Sequence, residues 1–292
     1  MQVTLTAMTI DSICVCGAGT MGSGIAQVMA MAGYPTILYE LNEAVLSKAK
    51  QSINHSLDKL VEKNKLKEEE ASETLNRIVF TRDIRTCQAD LVIEAIIENM
   101  DAKVSLFQQL DTINNDHTIF TSNTSSLSIT DLGKRLRNPG RVAGLHFFNP
   151  AQLMKLVEVV RTEDTKQEVV DTLVEITKKA GKNAIVCKDS PGFIVNRVAR
   201  PYYIESLRLA EEGIADFATI DALLENQGFK MGPFKLMDLI GNDVNYAVSC
   251  SVYDQLEQPE RLKPSYIQKD KVEKGELGKK TGKGYYDYQS NQ

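Results

Sequence analysis

Apolar residues fall in short runs separated by amphipathic stretches through the first part of the chain. The run at 13–16, "ICVC", has strand character and stops at a glycine-rich turn. Residues 25–32 have the apolar content of a buried helix, closed by Gly33, and residues 36–40 read as a second strand. A charged amphipathic stretch over 43–70 predicts a helix. "LNRIVFTRD" and "ADLVIEAI" predict further strands, followed by a helix over 101–112 and a strand in "HTIFTSN". Past His146 the alternation continues with a strand in "KLVEVVR", a helix near 165–180 and a strand in "NAIVCK". The pattern predicts an α/β fold, a doubly wound and mostly parallel sheet with helices on both faces.

The pattern changes at Asp189-Ser190-Pro191-Gly192, a strong turn signal. Beyond it the segments are helical, over 192–212, 218–227, 234–255 and 264–274. We therefore expect a first domain over 1–188 and a helical C-terminal domain over 189–292. The closing "GKKTGKGYYDY" reads as a tail docked by its tyrosines.

Composition narrows the functions. A net charge of −5 and a pI near 5.4 argue against nucleic acid as the main partner, because phosphate backbones demand a basic face. A small anionic ligand needs only a local cluster of positive groups. No apolar run approaches the ~20 residues of a membrane span, so no membrane partner is expected. Residues 1–10 lack the basic start and apolar core of a secretory leader. Cys14, Cys16, Cys87, Cys187 and Cys250 are odd in number and scattered, which suits reduced buried thiols and a cytoplasmic protein. Cys14 and Cys16 alternate on one strand face and do not make a zinc-type pair.

Gly17-x-Gly19-x-x-Gly22 follows a strand and opens a helix. Gly17 permits the tight turn, Gly19 lets backbone approach a pyrophosphate, and Gly22 allows close helix–strand contact. Amide groups at the helix start, from Thr20 and Met21 on, favour phosphate. Glu40 ends the second strand at the offset expected of a carboxylate that binds ribose hydroxyls and repels a 2′-phosphate. The alternative for Glu40 is an exposed loop acid. Together the loop and the acid predict a Rossmann-type site for NAD in preference to NADP.

"GLHFFNP", residues 144–150, places one of only three histidines at the end of an apolar segment. A packed core histidine is one reading. The other is a proton-transfer group, since the ~6.5 reference pKa of histidine keeps both forms available near neutrality. Glu158 lies in the next strand, and a strand–turn–strand return brings its carboxylate beside the imidazole. An edge-strand acid is the equal alternative. "SNTSSLS" after the strand 118–121 and "PGFIVNR" contribute Ser125 and Asn196, which could hold a reacting oxygen or serve as caps. Phe147 and Phe148 would exclude water or pack between the domains.

The stretches "GAGTMGSGIAQVMA", "VIEAIIEN", "SNTSSLSIT", "GLHFFNPAQLMKLVEVV", "KDSPGFIVNR", "GPFKLMDLIGNDVN" and "GKKTGKGYYDY" run the length of the chain. They resemble the L-3-hydroxyacyl-CoA dehydrogenases, most closely the short-chain 3-hydroxybutyryl-CoA type. The resemblance implies an NAD-dependent oxidoreductase with His146 as catalytic base and Glu158 as its carboxylate partner. It places Ser125 and Asn196 near the substrate's 3-oxygen and thioester, and Glu98 near the histidine and cofactor. Asn123 and Asn149 become site-lining residues on the cofactor side. Ser56 and Lys63 match positions implicated in holding coenzyme A, although a solvated lysine face is the ordinary explanation in a helix charged throughout. Many relatives carry aspartate where this chain has Glu40.

An acyl-CoA thioester is thus the expected substrate, and a homodimer through residues 189–292 is expected from the resemblance and from apolar helix faces such as "FKLMDLI". Two alternatives remain: a dehydrogenase of free hydroxy acids or sugar acids, and a crystallin-like relative without turnover.

Overall fold

The computed structural model describes residues 7–289, so the first six residues of the segment read as lacking a leader lie outside it. Two compact units are present, Met1–Asp189 and Ser190–Gln292.

The first unit is built on an eight-stranded sheet of order β3-β2-β1-β4-β5-β6-β7-β8. In chain order these strands are Ile13–Cys16, Thr36–Tyr39, Ile78–Thr81, Leu91–Glu94, Ile119–Ser122, Val142–Phe147, Leu156–Arg161 and Asn183–Lys188. β1, β4 and β5 are buried throughout, and β1 accordingly reads as an unbroken apolar run. β1 lies between β2 and β4, so the strand order reverses there and a crevice opens beyond the carboxyl ends of β1 and β4. β1 to β6 run parallel; β6 and β7 then pair antiparallel, and β7 and β8 parallel.

Two of this unit's helices show the side-chain caps that start them. In α2, Glu43–Glu62, the Asn42 side chain accepts from the Ala44 and Val45 amides at 2.9 and 3.3 Å. In α4, Met100–Ile113, Asn99 accepts from Ala102 at 2.9 Å. α1, Thr20–Met31, is buried from Gly22 to Ala30. The helix expected over 43–70 is two helices, α2 and α3, Glu68–Asn76. Asn64 breaks it with φ of 53°. Its amide bonds Val61 and the Lys65 amide bonds Leu60, both at 2.8 Å, a left-handed helix stop. A six-residue helix, α5, Ile129–Lys134, lies between β5 and β6 where no helix was expected; α6 spans Gln167–Lys179. Phe147 packs in the core of the first unit itself, with Ile25, Leu145 and Val159.

The second unit holds α7 to α11: Val195–Glu211, Phe217–Asn226, Pro233–Ile240, Asn242–Gln255 and Tyr266–Glu273. The helix expected over 234–255 is divided at Gly241, whose φ of 104° no ordinary residue adopts readily. Phe217, Phe234 and Tyr285 meet with ring centroids 4.6–5.0 Å apart. The tail docks on two buried aspartates. Asp238 accepts from the Tyr285 and Tyr286 amides at 3.0 and 3.1 Å and from the Tyr288 hydroxyl at 3.0 Å. Asp221 accepts from the Tyr286 hydroxyl at 2.6 Å and from the first turn of α9.

Of the cysteines, Cys14, Cys16 and Cys87 are buried, whereas Cys187 and Cys250 are only half-buried. Cys14 and Cys16 do share a strand face, with sulfurs 3.8 Å apart.

Candidate active site

Three glycines shape the turn between β1 and α1, each for a different steric reason. At Gly17, φ is 99° and a Cβ would stand 2.6 Å from the Ala95 carbonyl. At Gly22 a Cβ would stand 1.7 Å from the Gly17 carbonyl. At Gly19 a Cβ would meet nothing within 4 Å. The first two glycines are demanded by the fold; the third keeps an exposed space clear. Thr20 and Met21 begin α1 beneath Gly19, and no side chain caps that end. Its first amides are therefore placed for an anion. Glu40, just past β2, accepts from the Ala18 amide at 3.1 Å and from Asn42 at 3.0 Å, so its carboxylate borders this loop. Open space at Gly19, uncapped amides and an adjoining carboxylate fit a dinucleotide.

At the same end of the parallel strands lies His146, the fifth residue of β6. The antiparallel register sets it directly opposite Glu158 of β7. Directly opposed residues share a face, and His146 Nδ1 lies 2.8 Å from Glu158 Oε2. Both are buried, at 3% and 1% exposure. A carboxylate can only accept, so the imidazole proton belongs on Nδ1 and the lone pair on Nε2. Nε2 is 3.0 Å from Ser125 Oγ, and the Phe148 ring lies beside the imidazole with centroids 4.5 Å apart.

The turn after β5 is held by a buried ionic cluster. Glu94, at 0% exposure, ends β4 and accepts from Ile96 N at 2.7 Å, Ser122 Oγ at 2.6 Å and Lys103 Nζ at 2.6 Å. Burial pushes the Glu94 carboxyl up, and the lysine and hydroxyl only partly offset it. Glu98 Oε1 accepts from the Thr124 hydroxyl, and from Ser125 N and Ser126 Oγ at 3.1 Å each. Its other oxygen is 3.2 Å from Lys103 Nζ. Partial burial raises the Glu98 carboxyl, but Lys103 and the hydroxyls outweigh this and hold it below the usual carboxylate range. Asn123 ties three strand ends together: its amide donates to the Glu94 carbonyl and its Oδ1 accepts from Phe147 N, both at 2.8 Å.

The remaining sequence-predicted residues stand elsewhere. Asn149 is exposed in the loop after β6. Ser56 is half-buried on α2, and Lys63 is exposed just past its end, seven positions on. Asn196 belongs to the second unit, as the second residue of α7, with its carbonyl accepting from Arg200 Nε at 3.0 Å. Glu94 and Lys103 were not anticipated. Lys103 shares the buried face of α4 with Phe107 and Leu110, a helical spacing that a lysine seldom occupies unpaired.

Comparison with known proteins supplies the context. The 3-hydroxyacyl-CoA dehydrogenase NAD-binding domain model matches residues 12–190, and the 3-hydroxyacyl-CoA dehydrogenase C-terminal domain model matches residues 192–288. A 3-hydroxyadipyl-CoA dehydrogenase of Escherichia coli is 47% identical over 97% of this chain, which spans 60% of that protein's length. The mitochondrial hydroxyacyl-coenzyme A dehydrogenase of Sus scrofa is 42% identical, over 96% of this chain and 91% of its own. Among solved structures, (S)-3-hydroxybutyryl-CoA dehydrogenase from Ralstonia eutropha superposes with a TM-score of 0.92 at 36% identity, covering 96% of this chain and 99% of that one.

Proposed function

Because the chain belongs to the 3-hydroxyacyl-CoA dehydrogenase family, we propose that it reversibly oxidises an (S)-3-hydroxyacyl-CoA to the 3-oxoacyl-CoA with NAD. The observation that carries this reading is the hydrogen-bonded run Glu158–His146–Ser125 at the sheet end that also bears the glycine loop.

Oxidation removes a proton from the 3-hydroxyl and a hydride from carbon 3. His146 Nε2, with its lone pair free of the Nδ1 proton, takes the hydroxyl proton. The imidazolium that results is stabilised by Glu158, which is buried and so poorly screened. Ser125 Oγ, within hydrogen-bond distance of the same nitrogen, orients the reacting oxygen. In the reverse direction the imidazolium returns its proton to the forming alcohol. NAD, when bound, supplies the hydride acceptor for oxidation and the donor for reduction. Gly17, Gly19, Thr20, Met21 and Gly22 would hold its pyrophosphate and Glu40 its ribose diol, with Glu98, Asn123 and Asn149 lining the same side.

We assign short acyl chains as the substrate class, in keeping with relatives named for 3-hydroxyadipyl-CoA and 3-hydroxybutyryl-CoA. Ser56 and Lys63 are assigned to the coenzyme A moiety, and Asn196, with residues 189–292, to substrate binding and dimerisation. Support for a homodimer comes from exposed apolar side chains of the second unit, with Val198 72%, Leu223 59% and Tyr266 65% exposed. Sedimentation at micromolar concentration should give twice the chain mass, and a stable monomer would contradict it. Five free cysteines fit a cytoplasmic setting, where thiols stay reduced.

The deciding experiment follows NADH absorbance with acetoacetyl-CoA, longer 3-oxoacyl-CoAs and free 3-oxo acids. Turnover confined to the thioesters, fastest with short chains, is expected. Equal turnover of the free acids would point to a hydroxy-acid dehydrogenase, and none with any substrate to a non-catalytic relative.

A further inference from the structure

Lys103 has its side chain 2% exposed, with Nζ 2.6 Å from Glu94 Oε1 and 3.2 Å from Glu98 Oε2. Burying an ammonium is costly, and a partner carboxylate compensates for it. Glu94, fully buried at the closer distance, already provides that partner. Glu98 is different: its side chain is 41% exposed, and water would solvate it without the lysine. What the lysine adds is a fixed place for Glu98.

That place matters because Glu98 Oε1 gathers three donors from consecutive residues, the Thr124 hydroxyl, the Ser125 amide and the Ser126 hydroxyl. These residues form the turn that carries Ser125 Oγ to within 3.0 Å of His146 Nε2. An unbroken series of polar contacts therefore joins the Lys103 ammonium to the imidazole. On the opposite side Glu94 anchors the end of β5 through Ser122 Oγ at 2.6 Å, so one lysine braces both the root and the tip of the turn.

We propose that Lys103 is a positioning residue for proton transfer: by holding Glu98 it fixes the 124–126 turn and sets the Ser125 hydroxyl against His146. This rests on the His146–Ser125 reading given above. Lys103 takes no proton from the substrate. It acts through geometry, and displacement of a catalytic group by about 1 Å costs on the order of 10²-fold in rate.

The test is a double-mutant cycle on kcat for acetoacetyl-CoA reduction, using full-length wild type, Lys103→Met, Ser125→Ala and the double variant. If Lys103 acts through Ser125, Lys103→Met lowers kcat by roughly 10²-fold in the wild-type background but by less than about threefold in the Ser125→Ala background. Losses that multiply would overturn the proposal, because the lysine would then act by a separate route. The pH profile gives a readout that loss of stability alone would not move. Without the lysine, Glu98 titrates at higher pH, so Lys103→Met should show an acidic limb shifted toward neutrality that Lys103→Met/Glu98→Gln lacks. An unshifted limb counts against it. Should Lys103→Met fail to fold, Lys103→Met/Glu94→Gln removes the stranded buried carboxylate and enters the same cycle. His146→Gln is measured alongside. Wild-type turnover in that variant would overturn the His146–Ser125 reading and this proposal with it, whereas collapse there with multiplying losses in the cycle overturns only the role of Lys103.

Discussion

His146 and Glu158 stand directly opposite each other across the antiparallel step of an otherwise largely parallel sheet, with Nδ1 2.8 Å from Oε2. The reversal of β7 is what creates this pair. A parallel partner at β6 would join through a long crossover, whereas here a short return carries the carboxylate back alongside the imidazole. Replacing Glu158 by Gln keeps the shape and removes the charge that stabilises imidazolium. We expect kcat to fall in both directions, because the imidazolium formed in the reaction loses its buried counter-charge. An unchanged kcat would make Glu158 a structural residue.

The glycine loop separates fold from binding. Gly22→Ala puts a Cβ 1.7 Å from the Gly17 carbonyl, so it should lower stability by about 1–3 kcal/mol, the usual range for overpacking. At Gly19 a Cβ meets no protein atom within 4 Å, so Gly19→Val should leave the melting temperature nearly unchanged while weakening NADH binding severely. Thermal melts and NADH fluorescence titrations read the two effects independently. Tight NADH binding by Gly19→Val would mean the pyrophosphate lies elsewhere.

Glu40 should set cofactor choice. With its carboxylate bordering the loop through the Ala18 amide, Glu40→Ser removes repulsion of a 2′-phosphate. Adding Leu41→Arg at a position 69% exposed supplies a partner for it. The ratio of kcat/KM for NADPH over NADH should rise in the double variant. Equal use of both by the wild type would refute the assignment.

Local features were legible in the sequence and distant ones were not. Gly17, Gly19 and Gly22 declare themselves because a tight turn constrains neighbours in sequence, and Glu40 because one βαβ unit fixes its offset. His146 and Glu158 could be named, but an edge-strand acid stayed an equal reading until the register of β6 and β7 was known. Asn64 hid its role, since asparagine in a charged helix looks like one more polar face; its positive φ comes from the helix stop. Lys103 was not anticipated, although it falls on the buried face of α4. Its two carboxylates lie five and nine residues before it, joined through the end of β4 and the loop behind it, where periodicity carries no signal.

Glu276 gives the second unit a pH dependence. Lys271 first, then Lys283, holds its carboxyl down at about 2, with Lys271 Nζ at 2.5 Å and Lys283 Nζ at 2.6 Å. A carboxyl depressed on folding contributes stability above its unfolded value and loses it as pH falls toward the folded one. The contribution is therefore intact at neutral pH and declines from about pH 4.5 toward pH 2. Glu276→Gln should lower the urea midpoint at pH 6, and the gap from wild type should narrow by pH 3. A gap that is the same at both values would show that the lysines contribute nothing through charge.

The most direct measurement is steady-state reduction of acetoacetyl-CoA by NADH in wild type and His146→Gln, with NADH affinity determined on the same preparations. In His146→Gln, kcat should drop by ~10²–10⁴-fold while NADH affinity stays within a few-fold of wild type, as for a lost general acid–base group. Turnover near the wild-type rate in a folded, NADH-binding His146→Gln protein would contradict it.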